Sequence, residues 1–244
     1  MVLERCDESL FDDTLIENKY TLPQYLDIFY QIADAVDILE QYEMNHGDLW
    51  SENIMSFWKE NLYEYRHYTV PEIRIIDYDS SYKKGVCENP SLGYSEEQRT
   101  RFYIGYDLCR LFDELIHMYT NYKEKKEHQR QKKAAKIKKM KQKGQCLDLD
   151  PYESDDDLRE YDEDNVQYPK EFLEWMFDLP IDDPAYPKDN QRLSGKNIKQ
   201  ELIELANKNG IDLLKEIENR NNRAILEAKT LSDVSDESVE LDEE

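Results

Sequence analysis

His46-Gly47-Asp48-Leu49-Trp50-Ser51-Glu52-Asn53-Ile54-Met55 is the stretch around which the rest of the chain is arranged. It has the form H-x-D-x-x-x-x-N, and a second acid, Asp77, follows the apolar run Ile73-Arg74-Ile75-Ile76. Moving a phosphoryl group from a nucleotide to a hydroxyl asks little covalent chemistry of a protein. It needs a carboxylate to take the proton of the attacking hydroxyl, and an amide oxygen and another carboxylate to hold Mg²⁺ against the phosphates. Asp48, Asn53 and Asp77 are those residue types in that chain order. ATP and Mg²⁺ are the cofactors this pattern predicts, with Asp48 as base and Asn53 and Asp77 as metal ligands.

Composition sets the outer bounds. The chain has 244 residues and a formal net charge of −23, which argues against a broad attraction to nucleic acid or anionic lipid. No apolar run approaches the roughly 18 residues a membrane helix requires. The N-terminus lacks the basic-then-apolar pattern of a secretion signal. Cys6, Cys87, Cys109 and Cys146 are far apart, without C-x-x-C spacing, as expected of thiols in a reducing compartment. The expectation is a soluble intracellular protein of cytoplasm or nucleus.

Residues 1–15 read as a short strand, Met1 to Glu4, then a small helix through Ser9-Leu10-Phe11. Leu22, Leu26, Phe29, Ile32, Ala33, Val36 and Leu39 recur at helical spacing and predict a core-facing helix from about Leu22 to Glu43, with Pro23 in its first turn. Ile54 to Phe57 and Ile73 to Ile76 predict two strands, with a polar, tyrosine-rich hairpin excursion over 59–71. That layout returns Asp77 to the side of Asn53. Leu108, Leu111, Phe112, Leu115, Ile116 and Tyr119 predict a second buried helix starting near Tyr106. Lys123 to Lys143 carries good helix formers and almost no apolar face, so it reads as a solvated helix or a disordered insert. The acidic cluster Asp148 to Asp164 that follows is expected to attract it. A short helix around Phe172 to Phe177 and two more, Gly195 to Lys208 and Ile211 to Ala228, complete the folded part. The tail from Ser232 is expected to be disordered.

By these residues the chain resembles the C-terminal lobe of the eukaryotic-type protein kinase superfamily. His46-Gly47-Asp48 with Asn53 is similar to its catalytic loop, and Asp77-Tyr78-Asp79 stands where the family carries Asp-Phe-Gly. Asp107-Leu108-Cys109-Arg110-Leu111 resembles the helix whose Asp braces that loop. The resemblance implies that Glu4 and Cys6 lie in a hinge offering backbone groups to adenine, and that Met55 floors the adenine pocket. Within the superfamily, Ile76-Asp77-Tyr78 and the Asp-x-x-Arg-Leu pattern are similar to haspin and to divergent kinase-like proteins of large DNA viruses, which would add the virion as a location. The implied fold is mainly α with a small β ribbon, a kinase-like C-lobe lacking most of the N-lobe. Residues 1–120 would form its core, 121–167 a charged, flexible insert, 168–228 the C-terminal helices and 229–244 an acidic tail.

The chain also departs from that pattern. No glycine-rich loop or strand lysine precedes Leu3, so the resemblance implies a separately encoded small lobe as one partner, beside a protein substrate or a partner protein. Gly47 replaces an arginine, and Asp79 replaces a glycine. Trp50 replaces the lysine that reaches the transferred phosphate, and it would either stack on an acceptor or cover the loop. His-Gly-Asp-Leu-Trp-Ser-x-Asn is also similar to the loop of aminoglycoside and fructosamine kinases, and Ile-Asp-Tyr-Asp-Ser-Ser-Tyr to choline and ethanolamine kinases. Three expectations stand: a Ser/Thr protein kinase-like phosphotransferase, an inactive kinase-like binding module (a pseudokinase), and a small-molecule kinase.

Overall fold

The computed structural model describes residues 8–9, 20–57, 70–86, 101–142, 168–183 and 188–221, with the backbone alone at 8–9 and over parts of the long helix. The expected strand Met1–Glu4, the hinge residues Glu4 and Cys6, most of the 59–71 excursion, the acidic cluster and the tail lie outside these residues.

The chain is mainly helical, with two small antiparallel sheets. In order, the elements are β1 (Glu8–Ser9), α1 (Leu22–Gln41), β2 (Met44–Asn45), β3 (Ile54–Phe57), β4 (Glu72–Ile75), β5 (Tyr82–Lys83), α2 (Tyr106–Gln142), α3 (Lys170–Phe177), α4 (Gly195–Lys208) and α5 (213–221). One sheet runs β1-β3-β4 and the other pairs β2 with β5. Ser9 was expected in a helix; it is instead a strand residue paired with Met55, where the ladder of β3 takes up its backbone polar groups.

Helix α1 starts cleanly because the side-chain oxygen of Gln24 accepts from both the amide and the hydroxyl of Thr21 at 2.8 Å. Its predicted stripe is the core: Leu26, Phe29, Ile32, Ala33 and Val36 are buried. Helix α2 contributes Leu108, Leu111, Phe112 and Leu115 from the other side. The amphipathic α3 fills the gap, with Phe172 4.7 Å from Phe29 and Tyr168 5.0 Å from Tyr25 between ring centroids. Tyr168 also lies against Tyr119 of α2 at 6.4 Å between ring centroids. The basic run is helical through Gln142, one element with the buried part of α2. Among the described residues, no helix is long and apolar enough to cross a membrane.

Helix α4 approaches α1 until backbone meets backbone. A Cβ on Gly195 would lie 2.3 Å from the amide nitrogen of Asp37 and 2.5 Å from the carbonyl oxygen of Ala33. Only hydrogen fits there. Lys199 then bridges Asp34 and Asp37 at 2.7 Å each, and Arg220 of α5 reaches the fully buried Asp27 at 3.2 Å.

Glu40, at the end of α1, joins three segments. One carboxylate oxygen accepts from the amide of Gly105 at 2.7 Å and the other from the amide of Gly195 at 2.9 Å. Burial pushes this carboxyl up to about 7, against the pull of those two donors.

The unfolded Glu40 titrates near 4.5 and the folded one near 7, so between these values the folded state binds the proton more tightly. Stability from this group therefore falls as pH rises through that window, by at most about 1.4 kcal/mol per pH unit, and levels off above it. Glu40→Gln is expected to lower the urea midpoint, because its NH₂ faces one of the two amides, and to flatten this pH slope. Gly195→Ala is expected to cost about 2–4 kcal/mol through overpacking. Gly85→Ala, where a Cβ meets open space at φ +74, is expected to cost only about 1–2 kcal/mol of left-handed strain.

Candidate functional site

The loop from β2 to β3 is held by α2. Asp107, fully buried at the start of that helix, accepts from the amides of His46 and Gly47 at 2.9 Å each and from the side-chain amide of Asn45 at 3.2 Å. Burial raises the Asp107 carboxyl above the ordinary range, and the three N–H donors oppose that rise by favouring its ionised form. Asn45 also exchanges hydrogen bonds with the backbone of Tyr103, giving one at 2.9 Å and taking one at 3.0 Å.

Further along α2, Arg110 donates to the carbonyl of Gly47 at 2.5 Å and to Asp48 Oδ1 at 2.8 Å. Glu114 accepts from the amide of Ser51 at 2.7 Å and from its hydroxyl at 3.0 Å. Burial raises the Glu114 carboxyl as well, with the Ser51 contacts acting against it. Residues 107, 110 and 114 share one helical face and grip the loop at three successive places.

Asn53 closes the loop. Its Nδ2 donates to the carbonyl of Asp48 at 2.8 Å, which leaves its side-chain oxygen pointing the other way as an acceptor. The backbone carbonyl of Asn53 accepts from the amide of Ile76 at 2.9 Å. His46 Nε2 contacts the carbonyl of Ile76 at 2.8 Å; a carbonyl only accepts, so Nε2 carries the proton. Asp77, the next residue, is thus set between the two ends of the loop. His46 is fully buried and its ring lies 4.7 Å from that of Tyr78. It shapes the loop and is not exposed to a substrate.

Asp77 sits in the left-handed region at φ 61 and ψ 67, a conformation that costs a residue with a side chain about 1–2 kcal/mol. The backbone bonds of Ile76 hold it there, and the following turn is closed by the amide of Ser81 donating to the carbonyl of Tyr78 at 3.0 Å. Its carboxylate is exposed and has no hydrogen-bond or ion-pair partner among the described residues.

The predicted residues therefore fall as follows. The backbones of Asp48, Asn53 and Asp77 are drawn together, because the Asn53 side chain bonds the Asp48 carbonyl and the Asn53 carbonyl accepts from the amide of Ile76, next to Asp77. Met55 is half-buried on β3; its neighbours Ile54 and Ser56 face the core, so it lies on the opposite face of the sheet, paired with Ser9 and Arg74. Glu4 and Cys6 lie outside the described residues. Trp50 neither stands free nor merely covers the loop: its indole N–H donates to Asp48 Oδ1 at 2.5 Å, and the Arg110 guanidinium lies 4.4 Å from its ring. Asp79 is an exposed residue of the turn after Asp77.

Among the described residues, no cluster of three or more His, Cys, Asp or Glu is arranged to hold a metal. Asn53 and Asp77 offer two hard oxygen donors, which suits a cation such as Mg²⁺ that takes its remaining ligands from water and phosphate oxygens. The donor chemistry fits, provided the other ligands arrive with a nucleotide.

Glu114 and Asn45 were given no role from the sequence, and Arg110 entered only as part of the Asp-x-x-Arg-Leu pattern, with no partner assigned. The available signal was a polar seam at 107, 110 and 114 along a helix whose other positions are apolar.

Asp107→Asn sets an amide NH₂ against a backbone N–H in the core. It is expected to cost about 2–4 kcal/mol in a urea titration and to speed hydrogen exchange at the His46 and Gly47 amides more than elsewhere in the body.

No protein-family model matches the chain, and neither any curated protein nor any solved structure matches it.

Proposed function

We propose that the chain is a protein kinase-like phosphotransferase that passes the γ-phosphoryl group of ATP to a Ser or Thr hydroxyl. The observation that supports this reading is the nearness of Asp48, Asn53 and Asp77 along linked backbone, through the Asn53–Asp48 and Ile76–Asn53 hydrogen bonds. One is carried on the loop that α2 holds, one closes that loop, and the third is forced into a left-handed turn beside it. A strained aspartate with an exposed, unpartnered carboxylate is a cost that binding a cation would offset.

In this reading Asp48 Oδ2 faces the acceptor and takes the hydroxyl proton as the new O–P bond forms, while Oδ1 stays bonded to Trp50 and Arg110. Asn53 and Asp77 would hold Mg²⁺, which supplies charge neutralisation at the phosphates when bound. Asn53 also ties the base to the metal site through its bond to the Asp48 carbonyl, so the two move together. The exposed carboxylates near the site suit a cationic acceptor too, which keeps an amine-bearing small molecule as the alternative substrate class.

A second reading is a binding module without turnover, in which the Arg110–Asp48 pair serves only to hold the loop on α2.

Thermal unfolding with and without Mg-ATP separates the two. The phosphotransferase reading expects stabilisation by about 2–3 kcal/mol at saturating nucleotide. Asp77→Gly is the informative variant, because glycine removes the left-handed strain. It is expected to unfold at the same or a higher temperature without ligand and to lose the Mg-ATP shift. A shift that survives in Asp77→Gly contradicts the site. Phosphate transfer to a generic protein substrate, abolished in Asp48→Asn, distinguishes an enzyme from a nucleotide-binding remnant.

A further inference from the structure

We infer that Arg110 is a positioning residue that fixes which oxygen of Asp48 acts as the base. The inference rests on the phosphotransferase reading for its consequence, and on geometry alone for the contact. Arg110 engages the loop through both terminal nitrogens. One donates to the Gly47 carbonyl at 2.5 Å and to the Tyr106 hydroxyl at 3.2 Å; the other donates to Asp48 Oδ1 at 2.8 Å. Its guanidinium carbon lies over the Trp50 ring, 4.4 Å from the centroid, and the Trp50 indole donates to the same oxygen. Asp48 Oδ1 thus takes two donors, and Oδ2 takes none among the described residues.

A carboxylate left to itself turns about its Cβ–Cγ bond and presents either oxygen. Held at one oxygen from two directions, it presents the other in a single orientation, which is what proton removal in an ordered reaction needs. The arrangement asks for arginine specifically. A planar fork reaches a backbone carbonyl and a carboxylate at once while stacking on an indole, whereas an ammonium offers one point of attachment. Exposure supports an orienting role over a structural one. The Arg110 side chain is 11 % exposed and that of Asp48 36 %, so Asp48 can regain water when Arg110 is lost. Arg110→Met also removes the donor to the carbonyl of the buried Gly47, so a structural cost is expected and has to be read apart from the effect on Asp48.

The position within α2 explains how the contact is kept in register. Asp107 fixes the backbone amides of His46 and Gly47, and one turn later Arg110 fixes the side chain of the next residue, Asp48. Backbone and base are referenced to the same rigid element, so neither drifts relative to the other.

Arg110→Met and Arg110→Lys test this with two readouts. The first is the indole N–H resonance of Trp50 in a ¹⁵N spectrum of the full chain, assigned by its loss in Trp50→Phe. The short bond to a carboxylate should place it downfield and slow its exchange. In Arg110→Met it should move to the position of a solvent-exposed indole, with Lys intermediate. The second is steady-state phosphate transfer. Arg110→Met should lower kcat by about 10–100-fold, with KM for ATP within about twofold, and Arg110→Lys should recover part of kcat. An indole resonance that does not move in Arg110→Met overturns the inference. So does a loss of kcat that tracks a fall in Tm, with Lys no better than Met. If the unaltered chain neither binds Mg-ATP nor transfers phosphate, the phosphotransferase reading fails, and the indole resonance still decides whether Arg110 holds Asp48.

Discussion

A single buried carboxylate, that of Asp107, sets the geometry on which the rest of the site depends. A loop that leaves one short strand and enters another carries unpaired amides, and in a folded interior each must find an acceptor. Asp107 accepts from the amides of His46 and Gly47 at once, from inside the core, and from the Asn45 side chain. Burying that carboxylate is costly; three N–H donors make the burial tolerable and commit them to one arrangement. Because the acid sits on the first turn of a helix whose apolar face is the core of the molecule, the loop inherits the rigidity of that core.

A second brace of the same kind secures the frame from below. Glu40 bonds the amides of Gly105 and Gly195, tying the end of α1 to the segment that leads into Asp107 and to the start of α4. The near-contact of α4 with α1 at Gly195 leaves no slack in that junction. Left-handed backbone at residues other than glycine falls at two exposed places among the described residues, Glu43 at φ 52 and Asp77 at φ 61, and at Asp77 the bonds of Ile76 hold it.

Much of the frame was legible in the sequence, because it rests on local periodicity. The stripe of Leu26, Phe29, Ile32, Ala33 and Val36 and the strand pair on either side of the 59–71 excursion could be read from spacing alone, as could the span Gly195 to Lys208. Asp48, Asn53 and Asp77 were picked out for a different reason: their residue types and order match what the proposed phosphoryl transfer would need. The contacts that hold them were not. Arg110, Glu114 and Glu40 act on partners more than sixty residues away, and nothing in their neighbours announces that pairing. Trp50 was ambiguous between stacking on an acceptor and covering the loop, and only its hydrogen bond to Asp48 ties it to that side chain. Ser9 was misassigned because a two-residue strand has no period to read.

The account's central claim is that Asn53 and Asp77 share one cation with a bound nucleotide, beside Asp48. Paramagnetic broadening by Mn²⁺ in the presence of ATP measures this directly. The account predicts that the side-chain amide of Asn53 and the backbone amides of 77–79 broaden first, that signals of α4 stay sharp, and that Asp77→Gly abolishes the effect. Broadening centred elsewhere on the chain, or unchanged in Asp77→Gly, would contradict it.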